Sequence, residues 1–431
     1  IFRGALDVGA TTINEEMKLA CVRAIADLAM AESSAEVAGA YGDAELTFGP
    51  EYLIPKPFDP RLIARIAPAV AKAAMDSGVA TRPIADLEAY AEKLTEFVYK
   101  TSLFMRPVFN QARKDIKRIV LTEGEDERVL HAAQQVVSQK LAFPILVGDA
   151  KLIEERLHSQ GLTIQPGKDF ELVDIKNSPY YEASWKEYYN LRKRKGVTEE
   201  MARRRLKANS TLVGALLVRL GHADGLVCGT MGRFHDHFAV MEEVIGYNNP
   251  EKEAFAMNAL ISNKGNFFIA DTYINENPTA EQLAKGTLMC AAEMKRFGLK
   301  PKVALVSNTN YGSNRNPDAN KMQQALELIR ELDPALEIDG EMQADVALDE
   351  EMRKSIFPET TLNGAANLLV MPNVEAANIS YNLLRVNATN GITVGPILMG
   401  LNKPVQIVTP ISTVRRIVNM IALAAVDAQR Q

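Results

Sequence analysis

The sequence predicts an α/β protein with mostly parallel sheets and helices on both sheet faces, preceded by a helical N-terminal segment. Three observations predict it. From residue 118 onward, short apolar runs alternate with amphipathic helical stretches, the pattern of crossover connections between parallel strands. Residues 1–112 instead repeat apolar positions at three- and four-residue spacing and hold no strand followed by a glycine-rich turn. A balance of 47% hydrophobic to 24% charged residues is that of an ordinary globular chain, neither disordered nor fibrous. At about 150 residues per domain, the 431 residues suggest roughly three domains, enough to bury large cores without disulfide or metal staples.

The elements follow in order. Met17, Cys21, Ile25 and Leu28 mark one buried face of a helix over 13–30. Asp59 and Pro60 supply an N-cap followed by proline at the first helical position, and Gly78 stands where a C-cap glycine closes that helix. A third helical pattern runs over 84–101. The basic linker from Gln111 to Asp115 marks a boundary, after which strands are predicted over 118–121, 143–147, 225–228, 267–270, 303–306, 367–370 and 405–408. The chain contains no internal repeat, low-complexity tract or coiled-coil heptad.

Charge and composition exclude several classes of function. A net charge of −5 argues against a dedicated nucleic-acid binder, which needs a basic excess to neutralise phosphate. The sequence has no apolar run of about 18 residues, so no membrane span is predicted, and the N-terminus lacks the features of a signal peptide. Three distant cysteines, Cys21, Cys228 and Cys290, form neither a disulfide framework nor a paired zinc knuckle, which points to a reducing, cytoplasmic compartment. The opening at Ile1 reads as the middle of a folded unit, so a fragment or processed chain is expected.

Several clusters are candidates for chemistry. Nine basic residues (Lys186, Arg192, Lys193, Arg194, Lys195, Arg203, Arg204, Arg205 and Lys207) face three acids, Glu187, Glu199 and Glu200. They form either solvated helix faces or an anion site that uses the bidentate donors of arginine, and for Arg192 the two alternatives stand level. His235-Asp236-His237 follows Gly232-Arg233. On a strand the two imidazoles would share a face that a metal could use, but the helical character of 234–245 favours a polar role at a strand-to-helix turn.

The loop Ser307-Asn308-Thr309-Asn310-Tyr311-Gly312-Ser313-Asn314 follows a predicted strand and precedes a helix from about Pro317. It is a ligand wall or a solvated loop, since open α/β sheets bind ligands beyond the carboxyl ends of strands. Asp339-Gly340-Glu341 and the stretch from Pro372 to Asn378 are expected at similar junctions, with helix capping as the plainer role. The last helix begins near Ser412-Thr413 and carries Arg415 and Arg416 in its first turn, where the helix dipole disfavours cations by about 0.3–1 kcal/mol each. A bound anion, or acids on a neighbouring subunit, would relieve that conflict. No P-loop, no G-x-G-x-x-G fingerprint and no convincing nucleophile–base order is present.

Two resemblances cover essentially the whole chain. Through Ile1-Phe2-Arg3-Gly4-Ala5-Leu6-Asp7 and Tyr52-Leu53-Ile54-Pro55-Lys56-Pro57-Phe58-Asp59, residues 1–110 resemble the C-terminal end of the bacterial NADP-dependent malic enzymes. Residues from about 114 to 431 resemble a phosphate acetyltransferase domain. Leu191-Arg192-Lys193-Arg194-Lys195-Gly196 matches that family's L-R-K-x-K-G motif, and Gly395-Pro396 through Lys403-Pro404-Val405 match its C-terminal motif. Departures stand beside these matches. The stretch from Cys228-Gly229-Thr230 through Asp236 reaches Ala239-Val240 where the family carries Arg-Pro, Thr409-Pro410 replaces Ser-Arg, and Arg416 replaces an aspartate.

The resemblance to these hybrid malic enzymes implies a malic enzyme segment over 1–112 and a phosphotransacetylase-like domain over 113–431. Its fold would be the two-lobed, isocitrate/isopropylmalate dehydrogenase-like architecture, with lobe 1 over about 114–246 and 396–431 and lobe 2 over about 247–395. It implies that NADP, a divalent Mg or Mn ion and malate oxidation belong to the N-terminal part of the parent enzyme, so no catalytic residue and no metal ligand is assigned here. It further implies acetyl-CoA as a feedback inhibitor, held by Arg192, Arg233, His235, Ser307, Asn308, Gly312, Ser313, Thr409, Arg415 and Arg416. Self-association into a dimer or higher homo-oligomer is expected, with no nucleic-acid or membrane partner. A working phosphate acetyltransferase and a domain that only oligomerises are the alternatives.

Overall fold

The computed structural model describes residues 1–30, 53–55, 61–174, 177–262, 265–314, 316–387 and 392–430. They divide into two compact units, Ile1–Phe104 and Met105–Gln431. In the first, Asn14 opens the helix Glu15–Met30 by accepting the amide of Met17 at 3.0 Å. The expected face is the buried one: Met17, Cys21 and Leu28 are buried, and Ile25 packs beside them. The helix Phe2–Asp7 lies close to Arg61–Asp76, and a Cβ on Gly4 would come within 2.4 Å of the Ala67 carbonyl. Gly78 takes φ +74 just past Asp76 and donates its amide to Met75, as a closing glycine does. The expected cap at Asp59-Pro60 lies outside the described residues.

The third helix spans Leu87–Ala112, well past the expected end at 101. Pro107 sits inside it, and burial of Met105, Val108 and Ala112 outweighs the backbone bond that proline forgoes.

The second unit contains two sheets. The first has the order β11-β4-β1-β2-β3, all parallel, from β1 (Arg118–Leu121), β2 (Phe143–Gly148), β3 (Glu171–Asp174), β4 (Gly225–Cys228) and β11 (Val405–Ile407). The second has the order β10-β5-β6-β9-β7-β8, from β5 (Phe255–Ser262), β6 (Gly265–Ala270), β7 (Lys302–Val306), β8 (Glu337–Met342), β9 (Leu368–Val370) and β10 (Ile392–Met399). Here β10, β5 and β6 pair antiparallel and the remaining pairs are parallel.

Seven strands lie where the apolar runs predict them, within a residue or two. Four were not predicted. β3 buries only Val173, and β8 reads Glu-Ile-Asp-Gly-Glu-Met, so neither shows an apolar run. β10 carries Gly395-Pro396 within it, tolerated because it is an edge strand whose register shifts between Val394 and Ile397. β5 reads Phe-Ala-Met-Asn-Ala-Leu-Ile-Ser, with no alternation to separate strand from helix.

Two helices fix the first sheet. Ser210–Arg219 buries every residue from Thr211 to Val218, and Gly214 permits the approach, since a Cβ there would lie 2.6 Å from Thr122 and 2.7 Å from Leu226. Val414–Ala428 packs on β1 and β4 and also reaches β10 of the second sheet. Among the described residues, no helix is long and apolar enough to cross a membrane, and Cys21, Cys228 and Cys290 are all buried free thiols.

Candidate functional site

The first sheet has a topological switch point. From β1 the chain runs outward through β2 and β3 on one side, while β4 and β11 occupy the other. The loops beyond β1, β4 and β11 therefore meet at the carboxyl ends, the place where such sheets bind ligands. Glu123, just past β1, accepts the Thr122 hydroxyl at 2.8 Å and the Gly229 amide at 3.0 Å. Burial pushes its carboxyl above the usual range, against the pull of His237 and of these hydrogen bonds. Gly229 has φ +100, and a Cβ there would come within 2.4 Å of the Val408 carbonyl, so only glycine lets the two loops cross this closely.

Arg128 fastens those loops. Its guanidinium donates to the carbonyls of Pro410 (2.5 Å), Ser412 (3.0 Å) and Thr230 (3.0 Å), and pairs with Asp126 at 2.6 Å. Burial of Asp126 opposes ionisation, but Arg128 overcomes it and holds the carboxyl below its usual range. Glu123, Asp126 and Arg128 were missed by sequence reasoning. The available signal was the polar run Thr122-Glu123-Gly124-Glu125-Asp126 directly after an apolar strand, with Asp126 as N-cap of the helix Glu127–Ser138.

The expected site residues on the β4 side divide sharply. Arg233 is exposed and paired with Asp236 at 3.0 Å, and His235 is exposed beside it. His237, on the same helix Phe234–Val244, is buried: Nε2 donates to the Met231 carbonyl at 2.7 Å and Nδ1 accepts the Thr211 hydroxyl at 2.8 Å. The two imidazoles thus diverge on a helix and make no shared metal face. Among the described residues, no group of three His, Cys, Asp or Glu side chains is placed to hold a metal.

The two sheets meet at this end. Phe234 stacks on Tyr273 with ring centroids 4.6 Å apart, and Tyr273 belongs to a turn just past β6. Asp271 organises that turn, accepting the amides of Ala256, Tyr273, Ile274 and Asn275. Thr413 caps the helix Val414–Ala428, as expected, by accepting the Arg416 amide, and the Arg416 guanidinium donates to the Thr393 hydroxyl of β10. Arg415 is exposed and has no side-chain partner among the described residues. Thr409 is buried, its amide donating to the Ser412 hydroxyl at 3.2 Å within the same turn. Arg233 and His235 at the start of Phe234–Val244, and Thr409, Arg415 and Arg416 around the start of Val414–Ala428, thus lie beyond the carboxyl ends of β4 and β11.

The Ser307–Ser313 loop sits at the carboxyl end of β7, on the second sheet. Ser307 is buried near Thr309, Asn308 accepts from Asn316, and Ser313 accepts the Asn310 amide. Buried Glu341 holds the loop through the Thr309 hydroxyl and the Gly312 amide, both at 2.9 Å. Asp339-Gly340-Glu341, expected at a helix cap, lies inside β8 instead, where the edge position lets loop donors reach Asp339 and Glu341 Oε1, while the buried Glu341 Oε2 has no partner among the described residues. Asn373 does cap the helix Val374–Asn387 through the Ala376 amide.

Arg192 sits elsewhere on the first sheet. It closes the helix Tyr181–Arg192 and pairs with Glu243 at 3.1 Å, and Glu243 also receives Arg205 and the Tyr188 hydroxyl. Among the described residues, no hydrogen bond or ion pair joins Arg192 or the Ser307–Ser313 loop directly to Phe234 or Tyr273, although Glu243 belongs to the same helix as Phe234.

The comparisons with known proteins follow this geometry. A family model described as "Phosphate acetyl/butaryl transferase" matches residues 103–425. An NADP-dependent malic enzyme of Salmonella typhimurium is 60% identical over 429 residues, covering 100% of this chain and 56% of that protein. The chain therefore spans little more than half the length of the malic enzymes it matches. A phosphate acetyltransferase of Corynebacterium glutamicum is 33% identical over 331 residues, covering 76% of this chain and 98% of that protein. The solved structure of a phosphotransacetylase from Streptococcus pyogenes superposes with a TM-score of 0.71 at 28% identity, covering 77% of this chain and 99% of that one. Fold, family model and relatives agree: the chain belongs to the phosphate acetyl/butaryl transferase family, in the form of the phosphate acetyltransferase-like domain of a malic enzyme's C-terminal region.

Proposed function

We propose that this chain is the acetyl-CoA-sensing and oligomerising part of an NADP-dependent malic enzyme, and that its acetyltransferase-like cleft binds the thioester without turning it over. One pattern of side chains supports the proposal: cations stand beyond the carboxyl ends of β4 and β11, while two arginines of the resembled family are replaced. Positions 239 and 410, arginines in the family resembled, are an exposed alanine and an exposed proline with no side-chain donor, and Arg416 stands in place of an acid. Acetyl transfer from CoA to phosphate needs donors aimed at the developing oxyanion, and each lost donor of that kind costs about 2.7–4 kcal/mol. Arg415, Arg416, Arg233 and His235 remain available for the phosphates of CoA, with Thr409 on the β11 side and Ser307, Asn308, Gly312 and Ser313 on the facing wall. Arg192 joins them only by exchanging Glu243 for ligand.

Feedback inhibition requires acetyl-CoA to prefer one arrangement of the two sheets over another, and a cleft walled by both supplies that preference. NADP dependence and malate oxidation, named for the relatives, are proposed for the whole protein. Calorimetry with acetyl-CoA and a coupled assay with acetyl phosphate and CoA test the proposal together. Saturable binding without turnover is expected, and absence of binding overturns the sensor role. A second reading, a working phosphate acetyltransferase, is favoured by Glu123, whose raised carboxyl lies at the switch point. Turnover that scales with protein concentration would establish it.

A further inference from the structure

At the opposite end of the strands from the cleft, where β10 ends and β11 begins, lies a cavity of about 360 Å³. Asn248, Glu293, Arg296, Lys403, Asp427 and Arg430 supply its polar lining, among apolar neighbours such as Met289 and Leu401. These groups come from both sheets' coverings. Glu293 and Arg296 belong to the helix Ala280–Arg296, Asp427 to Val414–Ala428, Arg430 to the turn after it, and Lys403 to the link between β10 and β11.

Arg296 donates through its two terminal nitrogens to Glu293 and Asp427, while its buried Nε has no partner among the described residues. Gln406, buried in β11, also approaches Asp427 at 3.5 Å. The two acids are thereby spent on one guanidinium. Lys403 and Arg430 line the same cavity with no side-chain partner among the described residues. Arg296, Lys403 and Arg430 thus set three cations against Glu293 and Asp427 at a partly apolar cavity, and although Arg430 also favours the ionised forms of both acids, one positive charge is left in excess and attracts a counter-charge.

We propose that this cavity binds a small polyvalent anion, a dicarboxylate or inorganic phosphate, held by Lys403 and Arg430. The site is separate from the acetyl-CoA cleft and lies where the elements of both sheets join. Its volume falls near the lower end for ligand pockets, which are roughly 300–1,000 Å³, and suits an anion of a few heavy atoms.

Binding carries a protonic signature. Burial and the neighbouring Asp427 charge raise the Glu293 carboxyl to about 7, against Arg296 on its own helix and Arg430 beyond the last one. Buried Cys290, on the same helix, is a thiol pushed up by its own burial and stays neutral. An incoming anion adds negative charge near Glu293 and raises its carboxyl further, so the protein takes up a proton on binding near neutral pH.

Calorimetry of the full chain tests this with succinate, inorganic phosphate and chloride at matched ionic strength, near pH 7, in two buffers of different ionisation enthalpy. Succinate, phosphate or both bind saturably while chloride does not, and the heat differs between buffers in the sense of proton uptake. Binding of succinate alone identifies a carboxylate site, of phosphate alone a phosphate site, and of both a general dianion site. Lys403→Gln or Arg430→Gln, each with an unchanged circular dichroism spectrum, weakens binding at least about tenfold. No saturable binding of either anion overturns the proposal. So does binding without proton uptake, or with affinity unchanged in both variants.

Discussion

Arg416 stands in the first turn of the helix Val414–Ala428, where the exposed amide dipoles disfavour a cation. Its guanidinium finds the Thr393 hydroxyl on β10 of the second sheet while its helix packs on the first, and Arg415 beside it keeps no side-chain partner among the described residues. Thr393 is neutral, so the helix terminus retains an excess of positive charge beyond the carboxyl end of β11. That excess is what a phosphate-bearing ligand answers. Replacing Arg416 with Ala is expected to weaken acetyl-CoA binding by about 1.5–3 kcal/mol, the range for hydrogen bonds to charged groups, with the fold retained. Calorimetry on the variant and the parent measures it, and equal affinities in two natively folded proteins exclude Arg416 from the site.

At the scale of elements, the helix Val374–Asn387 is the conspicuous one. It caps with Asn373, buries Ala377 and Tyr381 against its own sheet, and leaves Ile379, Leu383 and Val386 exposed along one stripe. Helical residues three and four apart share a face, so these side chains form one apolar strip rather than scattered exposures. Glu375 lies near the start of the helix and Arg385 near its end. We take this strip as the face through which the proposed self-association acts, since a second copy packed on it covers the exposed side chains. Leu383→Asp is expected to shift the population to a smaller species at micromolar concentration. Light scattering with sedimentation checks it, and an unchanged mass would move the interface elsewhere.

At the largest scale, the unit Met105–Gln431 is tied together at two opposite ends of its sheets. At one end Arg128 and the Phe234–Tyr273 stack join loops, and at the other Arg296 bridges Glu293 to Asp427. The second tie carries a pH dependence. Glu293 has its ordinary value of 4.5 raised to about 7, so between these pH values the folded protein holds a proton that the unfolded chain has released. Stability from this group is therefore present at low pH and lost as pH rises through about 7. Thermal unfolding of Glu293→Gln, which keeps an acceptor for Arg296 and removes the titration, is expected to show a flatter decline between pH 5 and 8 than the parent. An identical slope in both would assign the pH dependence to other groups.

What was legible from the sequence was whatever local periodicity and turn chemistry encode. The buried face of Glu15–Met30, the strands with continuous apolar runs, the caps at Thr413 and Asn373 and the glycine at 78 all depend on neighbours within a few residues. The family motifs were legible for the same reason, being contiguous in the chain. The remainder depends on contacts between distant segments. β8 is a strand whose buried acids receive donors from the 309–312 loop and residue 360, and its composition alone argues against burial. Arg192 faces Glu243 rather than open cleft because helix packing brings together residues 51 apart in sequence. The Glu293–Arg296–Asp427 tie joins two helices separated by more than a hundred residues. Electrostatic pairing acts through space, and only the tertiary structure decides which charges meet.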